Sequence, residues 1–247
     1  YVCLGTDISS RMKNQVLTTV NQCLLNGQVT VSDADGIHPQ ERGSRMKKGV
    51  RWVVHDRVGY YFLNKENVIL SNQRTEGSWK IANRQTTTPT DIIQQDVFTL
   101  SVDHGSYPNN EGYAYMVVPS ADPLSIEKQV EEEGVVVLAN CPDVQAVRHD
   151  GLNMAYAVFY KGGTLRIHDK IVVEMDAPGM LMVKYNDAGE ILTLGVSDPT
   201  RFMKKLHLSV NQRIVGTAQE NIQTEWDGKQ ALTRISVDLP QNEYAGK

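Results

Sequence analysis

The stretch Trp52-Val53-Val54-His55-Asp56-Arg57-Val58-Gly59-Tyr60-Tyr61-Phe62 sets a histidine, an aspartate and an arginine between two apolar runs. Side by side, the His and Asp look like part of a charge relay. Neighbours along a strand point to opposite faces, however, so a working His/Asp pair has to be assembled by the fold and not by adjacency. The flanking runs are rich in valine and tyrosine, and Asp56 and Gly59 are turn formers. The spacing therefore predicts a strand ending at Val54, a reversal over 56–59, a second strand from about Gly59, and a structural His55.

Working outward, β-branched and aromatic runs with period-two alternation recur at 1–4, 16–25, 28–31, 50–54, 58–63, 67–70, 97–102 and 114–118. They continue at 135–139, 155–160, 170–175, 181–185, 206–210 and 232–239. Short strands separated by Gly, Asn, Asp and Pro predict an all-β chain of antiparallel β-sandwiches. One segment, 123–133, reads as a helix: Asp122 can cap it, Pro123 suits its first turn and Gly134 can close it. Placed there, the helix is a linker (123–133) between a first β-domain at 1–122 and a smaller one at 134–247. The chain opens on YVCLGTDI, already in a strand pattern, and reads as a piece of something longer.

A chain of 247 residues with 40% hydrophobic and 22% charged residues has the composition of a globular protein. No apolar run approaches the roughly 20 residues of a membrane-spanning helix. The net charge is −4, with 12 basic against 12 acidic residues in 1–122 and 13 against 17 in 123–247. Neither half is built for nucleic acid. The exception is local: in 41–51, Arg42, Arg45, Lys47, Lys48 and Arg51 outnumber Glu41. That stretch is either a solvated basic loop or a contact for a polyanion.

Candidate chemistry is sparse. Cys3, Cys23 and Cys141 lack metal-ligand spacing and are expected as buried free thiols, although Cys3 and Cys23 can lie on neighbouring strands. The polar stretch from Asp103 to Tyr113 holds His104 and Tyr107, which can transfer protons; its Gly, Pro and Asn residues equally suit a wide hairpin loop. There is no GxSxG, GxGxxG or GxxxxGK[ST]. Asn140-Cys141-Pro142 reads as a strand end and turn, and Glu131-Glu132-Glu133 as a solvated helix end. Trp79 and Trp226 are either core residues or stacking platforms for sugar rings.

Taken together and in order, YVCLGTDISS, TTVNQCLLNG, WVVHDRVGYYF, SWKIAN, the DHG…YAYMVVP run and VQAVRHDGLNMAYAVFY resemble the β-sandwich part of family-eight polysaccharide lyases. The likeness runs from residue 1 to about 185 and weakens beyond. It implies the later part of a large central β-domain followed by a small C-terminal β-sandwich. In this family an N-terminal α/α toroid carries the Asn, His, Tyr and Arg that cleave uronic-acid polysaccharides by β-elimination, and a supporting glutamate falls before Tyr1.

The resemblance thus implies that this chain has no catalytic residue of its own and is the non-catalytic part of a carbon–oxygen lyase. It implies secretion or a periplasmic location, no cofactor beyond a structural divalent cation in the full-length enzyme, and an acidic polysaccharide and the toroid as partners, with neither nucleic acid nor membrane. Candidate substrate contacts are Arg45, Lys47, Lys48, His104 and Tyr107. A free-standing carbohydrate-binding β-sandwich is the alternative, and a self-contained enzyme built on His104 and Tyr107 the third reading.

Overall fold

The computed structural model describes residues 1–214 and 219–241. The chain divides into two compact units, Tyr1–Lys128 and Gln129–Lys247. Among the described residues, every pairing between strands is antiparallel.

The first unit is built on β1 (Val2–Ile8), β2 (Gln15–Leu24), β3 (Val29–Asp33), β4 (Gly36–Pro39), β5 (Ser44–His55), β6 (Val58–Gly77), β7 (Ile93–Ser106) and β8 (Glu111–Pro119). They form one eight-stranded sheet in the order β1-β8-β6-β5-β3-β4, with β7 joining β6 to β2. A branch makes this order possible. The first part of β6 pairs with β8, Phe62 opposite Tyr115, and the later part pairs with β7, Val68 opposite Val102. Side chains of both branches share one core, in which Val53, Tyr60, Phe62, Leu70, Phe98 and Leu100 are buried.

The opening stretch is the hairpin β5–β6. His55 lies opposite Val58, leaving Asp56-Arg57 as a two-residue turn. Both turn residues have positive φ, 47° and 62°, the geometry of a type I′ turn, whose twist matches that of the flanking strands. The expected reversal is therefore present but shorter, and Gly59 belongs to β6. Its reason is space: a Cβ at Gly59 would stand 2.8 Å from the Ala121 Cβ and closer still to Ile126.

A short α1 (Trp79–Ala82), absent from the sequence expectation, follows β6. α2 covers Ile126–Glu133 and not 123–133. Asp122 still caps the entry, since its Oδ1 accepts the Leu124 N–H at 2.8 Å, but 123–125 form a turn. Gly134, at φ 59°, ends the helix.

The second unit holds β9 (Val135–Asn140), β10 (Val144–His149), β11 (Met154–Phe159), β12 (Gly163–His168), β13 (Ile171–Met175), β14 (Gly179–Tyr185), β15 (Ile191–Ser197), β16 (Lys205–Val210), β17 (Ile222–Asp227) and β18 (Leu232–Asp238). Two five-stranded sheets, β15-β14-β11-β10-β9 and β12-β13-β16-β18-β17, enclose one core. Alternation explains the arrangement. Along β13, Ile171, Val173 and Met175 are buried while Glu174 is exposed, so one face packs and the other meets water.

Candidate functional site

The branch of the first sheet creates an irregular place. Residues 63–67 of β6 lie between the last pairing with β8 and the first with β7, and Lys65-Glu66-Asn67 interrupts the apolar strand there. On the other side, β5 bulges: Lys47 faces Val68 and Val50 faces Glu66, so Lys48 and Gly49 together oppose Asn67. The Gly49 N–H reaches Asn67 Oδ1 at 3.4 Å, and Gly49 takes φ 62°.

Burial pushes the Glu66 carboxyl up to about 7, with the negative charge of Glu111 adding to the effect. Burial pushes His104 the opposite way, below the usual imidazole range, against the pull of Glu111 and Asp103. His104 Nε2 shares a hydrogen bond with Thr18 Oγ1 at 2.8 Å, and its ring tilts over Tyr113 with centroids 6.4 Å apart. Glu66 and His104 thus share Glu111 as an electrostatic neighbour, which places a raised carboxyl and a lowered imidazole in the same region of the sheet. Among the described residues, no three His, Cys, Asp or Glu side chains are grouped to hold a metal ion.

The sequence candidates separate here. His104 lies on β7, which extends to Ser106, so the predicted long loop shrinks to 107–110. Tyr107 stands on its tip, exposed and at φ 54°. The tip is tied down, because the Ser10 N–H reaches Pro108 O and the Asn110 N–H reaches Ser9 Oγ, both at 3.0 Å. Among the described residues, no hydrogen bond joins Tyr107 to His104.

The basic stretch is also corrected: from Ser44 onward it is strand β5, because its residues pair with β6. Most of its cations are neutralised locally. Arg45 donates to Glu41 at 2.6 Å, Arg42 to Asp96 at 2.6 Å, and Arg51 stands 3.7 Å from Glu127. Lys47 reaches Asp33 at 3.2 Å, and that carboxylate is only 4% exposed. Burial pushes the Asp33 carboxyl up, but the Asp35 N–H, His38 and Lys47 outweigh it and hold it below the usual range. Lys48, on the bulge, has no charged partner among the described residues.

His55 is structural in detail. Its Nε2 accepts the Asn26 N–H at 3.0 Å, which leaves the proton on Nδ1, facing Cys23 Sγ at 3.7 Å. Burial, opposed by Asp56, holds it below its ordinary value and so neutral. The three cysteines are free thiols, each partly exposed. Trp79 and Trp226 are exposed, at 61% and 38%, so the core reading fails for both.

Glu66 was not among the sequence candidates. The signal was a charged and polar triplet set inside an apolar strand run, legible as an anomaly but without its partners.

Two antiparallel β-units with a branched first sheet define an all-β sandwich protein, and comparison with known proteins gives its kind. The chain belongs to polysaccharide lyase family 8: residues 1–130 match the family's super-sandwich domain and residues 136–207 its C-terminal beta-sandwich domain. Chondroitinase-AC of Pedobacter heparinus is 33% identical over 245 residues, covering 99% of this chain and 32% of that protein. Xanthan lyase of a Bacillus species is 26% identical over 211 residues, 81% of this chain and 22% of that protein. A solved chondroitinase AC lyase, studied in oligosaccharide complexes, superposes at TM-score 0.80 and 33% identity over 99% of this chain and 33% of its own. The chain thus spans about a third of the chondroitinase relatives, and the likeness reaches past residue 185.

Proposed function

We propose that this chain is the β-sandwich portion of a lyase that cleaves uronic-acid polysaccharides of the chondroitin or hyaluronan type by β-elimination. The observation that carries the reading is the 33% identity to chondroitinase-AC, maintained over 99% of the chain through both units. In β-elimination a base removes the proton next to the uronate carboxyl, that carboxylate is neutralised, and the leaving oxygen is protonated. We assign those steps to a toroid encoded outside this chain and place the whole enzyme in a secreted or periplasmic setting, both on the family resemblance.

The chain's own residues favour a supporting role. His55 is spent on Asn26 and Phe98, His104 is bonded to Thr18, and among the described residues no hydrogen bond joins Tyr107 to either. Lys48 is the cation of the basic strand left to attract an acidic polymer over distance, since Arg45 and Lys47 answer to Glu41 and Asp33. The experiment is to express the longer polypeptide containing this chain and follow absorbance of unsaturated uronate on chondroitin sulfate and hyaluronan. Product from either polymer is expected; no product from any uronic-acid polymer overturns the proposal.

A further inference from the structure

The turn that joins β6 to β7 projects an aromatic side chain into solvent in surroundings unlike the core. Trp79 begins α1, 61% exposed, beside an open hollow of about 400 Å³ lined also by Asn83, Gln85, Thr87, Thr88 and Pro89. The backbone that carries it is braced. Ser78 Oγ accepts the Lys80 N–H at 3.3 Å, the Asn83 N–H reaches Trp79 O at 2.8 Å, and the Gln85 N–H reaches Asn83 Oδ1 at 3.1 Å. Lys80 Nζ closes the turn on Gln85 O at 2.7 Å.

Two features of the hollow and two of the segment that carries it agree on a ligand. An exposed indole face packs well against the apolar face of a sugar ring. The Asn83 Nδ2, the Gln85 side-chain amide and the Thr87 and Thr88 hydroxyls hold no hydrogen bond among the described residues, which leaves both donors and acceptors for ring hydroxyls. Residues 78–90 carry Lys80 and Arg84 and no acidic residue. Arg84 has no ion-pair partner among the described residues and suits a carboxylate or sulfate by its planar fork.

We propose that Trp79, with Asn83, Gln85 and the Arg84 guanidinium, forms an accessory platform that stacks one pyranose ring of an acidic polysaccharide. The assignment rests on the lyase reading for the identity of the polymer and adds a binding site to it, away from the branch of the first sheet. The platform holds polymer; it takes no part in bond cleavage.

The test is a tryptophan-fluorescence titration of this chain with a chondroitin sulfate tetrasaccharide, run beside Trp79→Ala, Trp79→Tyr and Arg84→Gln, with circular dichroism to verify each fold. Saturable quenching is expected for the parent. Trp79→Ala should weaken binding, read by calorimetry, by about tenfold or more, while Trp79→Tyr keeps it within about threefold because a ring remains to stack. Arg84→Gln should weaken binding and flatten its salt dependence. Equal affinity of parent and Trp79→Ala overturns the platform. So does concentration-dependent dimerisation abolished by Trp79→Ala without glycan binding, which gives Trp79, Ile81 and Ile92 to a second copy. Product from the longer polypeptide with an inert Trp79 sinks the platform alone; no product with intact tetrasaccharide binding sinks the lyase reading alone.

Discussion

His55 stacks on Phe98 with ring centroids 4.3 Å apart and planes 19° from parallel. The pair belongs to the core that both branches of the first sheet share, since Phe98 also packs on Tyr60 at 6.0 Å. His55→Ala removes that stack, the acceptor for the Asn26 N–H and a packed ring together. It should lower stability by about 2–4 kcal/mol in denaturant titration. In the longer polypeptide, kcat should stay unchanged at temperatures where the fold is intact; a large fall in kcat at unchanged stability would give His55 a chemical role.

Lys47 and Asp33 make a different kind of pair, nearly buried, with His38 as third member. Lys47→Met leaves the Asp33 carboxylate buried with less compensation and should cost about 2–3 kcal/mol. Asp33→Asn in the same background should recover part of that loss. Arg45→Gln and Lys48→Gln should change stability by no more than about 0.5 kcal/mol, because Arg45 is an exposed partner and Lys48 has no charged partner among the described residues. If Lys48 contributes long-range attraction, Lys48→Gln raises KM at low salt and the difference fades at high salt. Equal KM at all salt concentrations removes it from substrate capture.

Glu66 should give the first unit a pH signature. Its carboxyl is raised from an ordinary 4.5 to about 7 in the fold, first by burial and then by Glu111. A raised folded value means that the stabilising contribution is complete below the unfolded value and is lost as the pH climbs through the folded one. Glu66→Gln should therefore match the parent at about pH 4 and exceed it by about 2 kcal/mol near pH 8. Parallel stability curves for the two proteins would contradict the account of the branch.

Arg57 holds φ 62° in the two-residue turn, a conformation glycine takes without a Cβ penalty. Asp56 is worth keeping, since Asn26 Nδ2 donates to its Oδ1 at 2.9 Å. Arg57→Gly makes the turn Asp-Gly and should raise stability by about 0.5–1 kcal/mol. Destabilisation would mean that the Arg57 side chain contributes packing beyond its backbone.

The hairpin shows how far the sequence could be read. Valine and tyrosine runs place β5 and β6, and Asp56 places the reversal, but locally Gly59 reads as a turn residue because its actual constraint, Ala121 and Ile126 pressing on it, lies some sixty residues away in sequence. Strands β4, β10, β12, β15 and β17 carry no local pattern that marks them. Gly36–Pro39 is too short and glycine-led to show alternation, while Ile222–Asp227 mixes Gln, Thr and Glu on a half-exposed edge. The basic stretch looked like a loop because charge dominates its composition, yet its pairing with Val68–Ser71 on β6 makes it strand. Tertiary pairing decided what local composition left open. For the branch, His104 was visible and Glu66 was not: its shift arises from burial and from Glu111, which only the fold brings near.

The most direct measurement of the central claim is to incubate this chain alone with chondroitin sulfate and hyaluronan and follow the absorbance of unsaturated uronate over time. The account predicts no product above a boiled control, because the groups that abstract and return protons in β-elimination are assigned outside both β-units. Product that accumulates with time and protein concentration, and disappears in His104→Ala or Glu66→Gln with an intact fold, would contradict it and place the chemistry at the branch of the first sheet.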